Sequence, residues 1–363
     1  MDVVGASVIE TEVEGRHLIA STDLVAGHTV YNGFAYATAI YDEFVQHVCA
    51  CCFSIAHEPN AFAHHCRQCS RVFYCSDACR RMHREDGAPG VAPHRLVCPA
   101  LQKLQAIEQM GSLIKARLII EILAQQYHSP TAGGEEERAD LARLVCHVPD
   151  SSWILDEESD AWLGGLRDAV AACAWAGHVP ASELTDVALL STVDKVDTNG
   201  FDCKMHETGG ESIGIGLYLR GVTLLNHSCA PNCHISHRLP TLCVIAQRAV
   251  AAGEALTIAY VDVTADRADR RERLAADYAF ECACARCVAE EAEEALHAGR
   301  QAEGPSSGDE HKGVLLRSAL CMLTIGAVCT GYWALAAVGL LVYSWSLWRP
   351  SRAVAHPGER RIL

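Results

Sequence analysis

Asn226-His227-Ser228-Cys229-Ala230-Pro231-Asn232 lies mid-chain, and Cys282-x-Cys284-x-x-Cys287 follows it. A tetrahedral zinc shell takes four ligands. Three closely spaced thiols leave one position open, and Cys229 fills it. A zinc joining the two segments would draw the chain after residue 280 back over Asn226 and His227 and close a pocket there. The reading of the heptapeptide therefore decides how the second half of the chain folds.

The surrounding composition narrows the chemistry. The chain has 363 residues, room for two or three domains, and 30 Lys and Arg against 45 Asp and Glu give a net charge of −15. Nucleic-acid binding needs a positive face, so direct binding of nucleic acid is not expected, and a basic protein or peptide is the better partner. Nineteen cysteines would suit a disulfide-rich secreted protein. Yet Met1-Asp2-Val3-Val4-Gly5 shows no signal peptide, and the cysteines fall in pairs with histidines nearby, which suits zinc in a reducing compartment.

Those pairs are dense between 49 and 98: Cys49-x2-Cys52, Cys66-x2-Cys69, Cys75-x3-Cys79 and His94-x3-Cys98. Each pair can chelate from a knuckle or one helical turn, so four pairs supply two tetrahedral ions. A segment this short cannot bury enough core without metal.

Phe73-Tyr74-Cys75-Ser76-Asp77-Ala78-Cys79 resembles the core of MYND zinc domains, and the heptapeptide with its cysteine triad resembles SET-domain lysine methyltransferases. Together they resemble the SET and MYND domain-containing protein-lysine methyltransferases over roughly residues 5–290. The resemblance implies interleaved zinc sites, Cys49, Cys52, Cys75 and Cys79 on one ion and Cys66, Cys69, His94 and Cys98 on the other. His83 is the second candidate for the His94 position, because Arg84–Gly90 looks like an insertion, and Cys51 is the second candidate for Cys49 or Cys52. A third ion falls to Cys229, Cys282, Cys284 and Cys287. The module either holds only its own fold together or also docks proline-rich peptides, the family's usual mode.

For the cofactor, S-adenosylmethionine, the resemblance implies contacts from Arg16, His17, Asn199, Asn226, His227, Tyr278 and Phe280. Tyr260, after the turn at Gly253, would end a strand at the methyl-transfer channel as the catalytic residue. Alternation places Leu256, Ile258 and Tyr260 on one face of that strand.

Elsewhere the pattern is helical. In 112–127 an apolar stripe (Ile114, Leu118, Ile122) runs beside a polar one (Arg117, Glu121, Gln125). Ser318–Trp348 is 31 residues without a charged side chain, and a membrane-spanning helix needs about 20. Tyr332, Trp333, Tyr343, Trp345 and Trp348 are its candidate interfacial anchors. The last 15 residues carry four Arg against one Glu. The positive-inside rule would send the domain across the membrane; zinc thiolates and the missing signal peptide favour the cytosolic face. A tail-anchored protein of the mitochondrial outer, peroxisomal or endoplasmic reticulum membrane is expected, with the cytoplasm or nucleus as the alternative.

The expected fold class is α+β: a β-rich SET fold interrupted by a MYND-type zinc module and a helical insert, with a post-SET zinc site and a C-terminal transmembrane helix. Its segments are the N-terminal SET part (1–48), the zinc module (49–98), the helical insert (99–190), the core SET (191–264), the post-SET zinc segment (265–288), a linker (289–313), the membrane helix (314–348) and a basic tail (349–363). The implied activity is methylation of a target lysine on a non-histone or membrane-proximal protein. The alternative is a zinc-dependent, membrane-tethered adaptor with a degenerate SET core; Glu14 and His17, where the family carries Lys and Gly, favour it.

Overall fold

The computed structural model describes residues 3–302, apart from residue 13 and the stretches 57–60, 108–111, 129–134, 148–156, 205–209 and 239–240. The expected membrane helix and basic tail lie outside the described residues. Among the described residues no helix is long and apolar enough to cross a membrane.

Four strands open the chain: β1 (Ala6–Thr11), β2 (Gly15–Ala20), β3 (Thr29–Phe34) and β4 (Ala37–Ile40). A two-residue hairpin of β5 (His64–His65) and β6 (Phe73–Tyr74), with α1 (Asp77–Glu85), builds the cysteine-rich module. Then come α2 (His94–Lys103), α3 (Leu113–Tyr127), α4 (Glu135–Ala142), α5 (Glu157–Ala171) and α6 (Asp186–Asn199). The chain returns to strands with β7 (Gly200–Lys204), β8 (Ser212–Leu217), β9 (Asn226–His227), β10 (Cys233–Arg238), β11 (Thr241–Ala246) and β12 (Thr257–Ile258), and closes with α7 (Arg267–Tyr278) and α8 (Ala285–Ala302). A mixed helix-and-sheet fold results. The first compact unit runs to Cys284; a second begins at Ala285 and, among the described residues, consists of α8.

The sheets are small and join distant parts of the chain. β3 pairs with β11 and β11 with β10; β4 pairs with β8 and β8 with β7. Gly214 makes the β4–β8 contact possible, since a Cβ there would stand 2.2 Å from the Ala39 carbonyl oxygen. The strands enclose a core of Leu18, Val30, Tyr31, Leu242, Val244, Leu256 and Ile258, with Phe201 and Tyr260 packed at its border. The helices have a core of their own, centred on Trp162 and Trp175, and the Trp175 indole donates to the Leu96 carbonyl at 2.9 Å.

The strand expected after Gly253 is shorter than the alternation implied. Thr257 and Ile258 pair in parallel with Asn226 and His227, while the residues before them lie against β2 through an Ile19–Ala255 bridge and a Leu256 N–H bond to the Leu18 carbonyl at 2.8 Å. Burial of Leu256 and Ile258, at 0% and 2% exposure, holds the segment, at about 1.5–3 kcal/mol for each side chain.

The polar stripe on α3 is largely buried. Arg117 and Glu121 are each 7% exposed, not solvent-facing. Arg117 donates to the Ile40 carbonyl at 3.0 Å and pairs with Asp42; Glu121 accepts from the Ala92 N–H at 2.8 Å; Gln125 reaches the Tyr36 carbonyl at 3.4 Å. These side chains tether β4 and the end of the cysteine module to one helix, because buried backbone groups need partners.

Burial pushes the Glu121 carboxyl up to about 8 from 4.5, against the pull of the Ala92 bond. The folded chain therefore keeps a proton that the unfolded chain releases, and this contribution is complete below about pH 4.5 and lost as pH rises through about 8. Glu121→Gln keeps the acceptor and cannot ionise. Its melting temperature should fall less than that of the wild type across this window; parallel melting profiles would contradict the assignment.

The segment expected as a linker from residue 289 is helical as far as Ala302. Its alanines and glutamates are strong helix formers, and Arg286 pairs with Glu290 at 2.7 Å one turn on.

Candidate active site and metal centres

The cysteine module gathers its ligands around two points. Cys49, Cys52, Cys75 and Cys79 offer sulfur atoms all within 4.8 Å of one another, and Cys66, Cys69, His94 and Cys98 do the same. Nearest separations are 3.6 Å for Cys52–Cys75, 3.5 Å for Cys75–Cys79, 3.7 Å for Cys66–Cys98 and 3.6 Å from Cys69 Sγ to His94 Nε2. Thiolates bound at about 2.3 Å to a tetrahedral ion would stand about 3.8 Å apart, so the donor sets fit one cation each. Burial pushes the Cys49 and Cys79 thiols up to about 12, an environment that disfavours thiolate unless a cation compensates it.

Local structure places these ligands. The Ser76 hydroxyl caps α1 by accepting from the Cys79 N–H at 3.2 Å, which puts Cys75 just before the helix and Cys79 in its first turn. The two open alternatives are resolved. His83 Nδ1 bonds the Tyr74 hydroxyl at 3.2 Å and its ring packs 5.5 Å from His94, outside both donor sets. Cys51 is buried beside its cluster but is not part of it. Burial lowers His94 to about 3, followed in effect by His83 and Arg84, so its imidazole is neutral and able to ligate.

In the second half, Cys229, Cys282 and Cys284 converge, with Cys229 and Cys282 sulfurs 3.9 Å apart. Cys287 lies in the second unit, buried in the first turn of α8. The heptapeptide that carries Cys229 is fixed by its last residue. Asn232, 2% exposed, donates to the Ala255 carbonyl at 2.8 Å and Glu254 at 3.1 Å, and accepts from the Thr257 N–H at 2.9 Å. β9 is thereby held against β12. Sequence reasoning gave Asn232 no role, although its place at the end of the motif was the available signal.

Three polar residues expected at the cofactor are drawn toward one region. The Asn226 amide donates to the Glu14 carbonyl at 3.1 Å, bringing the β1–β2 turn to β9. Arg16, at the start of β2, donates to the Arg143 carbonyl at 2.8 Å. Asn199, 8% exposed at the end of α6, gives both amide hydrogens to the Val145 and Lys195 carbonyls at 2.9 Å. Its carbonyl oxygen is left as the acceptor. The role of the 143–145 main chain was invisible in the sequence. His17 turns into the protein, 2% exposed, with its ring on the Gly15 carbonyl at 3.1 Å and the Glu14 carboxylate at 3.2 Å.

Beside this region lies a cleft of about 500 Å³. Asn199, Phe201, Asp202, Lys204, His237, Tyr260 and Tyr278 are among its lining residues. Tyr260 stands 4.8 Å from Tyr278 and 6.5 Å from Phe280, ring centre to ring centre. Its hydroxyl donates to the Leu225 carbonyl at 2.6 Å. Burial, and then Tyr278, holds the phenol well above its ordinary range, so Tyr260 remains a neutral donor. Burial, then Arg270, lowers His227 to about 4. The arrangement is a cleft of mixed polar and apolar lining, with Asn199 and the fixed Tyr260 phenol in its wall.

The description "SET domain" is that of the family model matching residues 15–261. A SET and MYND domain-containing protein of Dictyostelium discoideum is 26% identical over 322 residues, covering 77% of this chain and 59% of that protein. N-lysine methyltransferase SMYD2-B of Danio rerio is 26% identical over 277 residues, covering 76% and 58%. Histone-lysine N-methyltransferase SMYD3 of Mus musculus is 29% identical over 230 residues, covering 61% and 48%. The chain thus spans about half the length of the curated relatives it matches.

Proposed function

The chain belongs to the SET domain family, and from that premise we propose that it is an S-adenosylmethionine-dependent protein-lysine N-methyltransferase. The observation that carries this reading is the set of bonds tying Asn226 to Glu14, Arg16 to Arg143 and Asn199 to Val145, with Asn199, Tyr260 and Tyr278 lining one cleft. The methyltransferase names of the relatives support it.

When bound, S-adenosylmethionine supplies a methyl group already activated on a sulfonium. Catalysis then consists mainly of placement and water exclusion. The Asn199 and Asn226 carbonyl oxygens would accept from the cofactor's amino groups, and Arg16 would face its carboxylate. Phe201, Tyr260 and Tyr278 would sheath the lysine stem; an apolar sheath lowers an amine's pKa by desolvation, so the nitrogen keeps its lone pair. No acid–base dyad is required. Zinc is the metal assigned to the three cysteine clusters, with Cys287 as fourth ligand beside Cys229, Cys282 and Cys284. Its part is structural, since every donor set is closed.

The test is calorimetric titration of S-adenosylmethionine into the full chain and into Asn226→Ala. Saturable binding weakened by about 10-fold or more in the variant is expected, the loss of a hydrogen bond to a charged group being worth about 1.5–3 kcal/mol. Equal binding by both proteins would sink the assignment of Asn226.

A further inference from the structure

One imidazole connects Cys229 to Tyr260. The Tyr260 N–H lies 3.0 Å from His227 Nδ1, and His227 Nε2 lies 3.3 Å from Cys229 Sγ. A backbone amide can only donate, so Nδ1 must accept and carries no hydrogen. The ring's one hydrogen then sits on Nε2 and points at the sulfur. From another direction Arg270, 1% exposed, donates to the same sulfur from Nε at 3.2 Å, and its Nη1 is fixed on the Ala265 carbonyl at 2.6 Å. The His227 ring packs against both Tyr260 and Phe280, with centres 5.5 and 6.2 Å away, which restricts its rotation.

We propose that His227 is a positioning residue whose Nε2–H tautomer joins the metal-ligand sulfur of Cys229 to the main chain of Tyr260. Tyr260 is then held at two points, its N–H on His227 and its hydroxyl on Leu225. The metal centre thereby sets where the phenol stands. Two N–H donors on one thiolate also spread its charge, as partners behind metal ligands do. The consequence for catalysis rests on the methyltransferase reading; the tautomer and the thiolate bond do not.

The experiment uses the full chain loaded with cobalt(II), whose sulfur-to-metal charge-transfer band reports hydrogen bonding to the thiolate. His227→Asn can offer an acceptor near the Nδ1 place and nothing at Nε2. His227→Gln can offer a donor near the Nε2 place. Since His227 touches neither donor set of the 49–98 module, difference spectra isolate this centre. His227→Asn is expected to move the band to longer wavelength and to raise loss of metal to a chelator by about 10–100-fold, the usual effect of removing such a partner. His227→Gln is expected to stay near the wild type in both readings. Identical bands and chelation in the wild type and His227→Asn would overturn the proposal.

If either variant fails to fold, imidazole nitrogen NMR of the wild-type chain decides. Hydrogen on Nε2 supports the relay, and hydrogen on Nδ1 sinks it. Failure of the chain to bind S-adenosylmethionine with these signatures intact would remove the enzyme reading alone.

Discussion

Tyr260→Phe is expected to lower methyl transfer by on the order of 10²-fold, the scale of a reacting group misplaced by about 1 Å, while metal content stays unchanged. The Tyr260 hydroxyl lies at the aromatic end of the cleft, and its 2.6 Å bond to the Leu225 carbonyl fixes the ring. Phenylalanine keeps the packing against Tyr278 and Phe280 and removes both that bond and the hydroxyl proposed to aim the amine. The loss should therefore appear in kcat rather than in cofactor affinity. Methylation kinetics, calorimetry and metal analysis separate these quantities. Unchanged turnover in Tyr260→Phe would refute its catalytic role.

The second large effect is on folding. Stripping zinc from the 49–98 module is expected to unfold it, because structural zinc sites supply about 10–16 kcal/mol in small domains at neutral pH. The module's strands β5 and β6 are two residues each and cannot hold it. Cys98→Ala should cost the full chain one zinc equivalent and deprotect residues 49–98 in hydrogen exchange. His83→Gln and Cys51→Ala should retain all the metal, since neither residue belongs to a donor set. Full zinc content and native protection in Cys98→Ala would contradict the assignment. The ligands must be deprotonated to bind, so falling pH should weaken the metal and the module together.

What was legible in the sequence was local and chemically specific. Metal-ligand pairs obey short spacings, so the pairs could be read before any fold was known; which pairs share an ion was implied by the family resemblance. The choice between His83 and His94 could not, because both histidines satisfy a plausible spacing; the position of Tyr74 beside His83 decides it. Periodicity found the polar stripe on α3 but not what it contacts. Arg117, Glu121 and Gln125 look like a solvent stripe, and their partners at Ile40, Ala92 and Tyr36 are invisible from within the helix. Arg270 was missed likewise: an arginine in an acidic-basic run such as Arg267–Arg273 reads as surface until the fold places its Nε on Cys229. Composition misled at 289–302, where Glu and Ala were taken as linker although they favour helix.

The central claim is that the chain moves a methyl group to lysine. The most direct measurement incubates the full chain with S-adenosylmethionine bearing a labelled methyl group and a mixture of soluble and membrane proteins, then hydrolyses the proteins and separates the amino acids. Label in N-methyllysine, lost with Tyr260→Phe, is the predicted result. No labelled lysine from a folded, zinc-loaded chain would contradict the claim and leave a zinc-dependent adaptor.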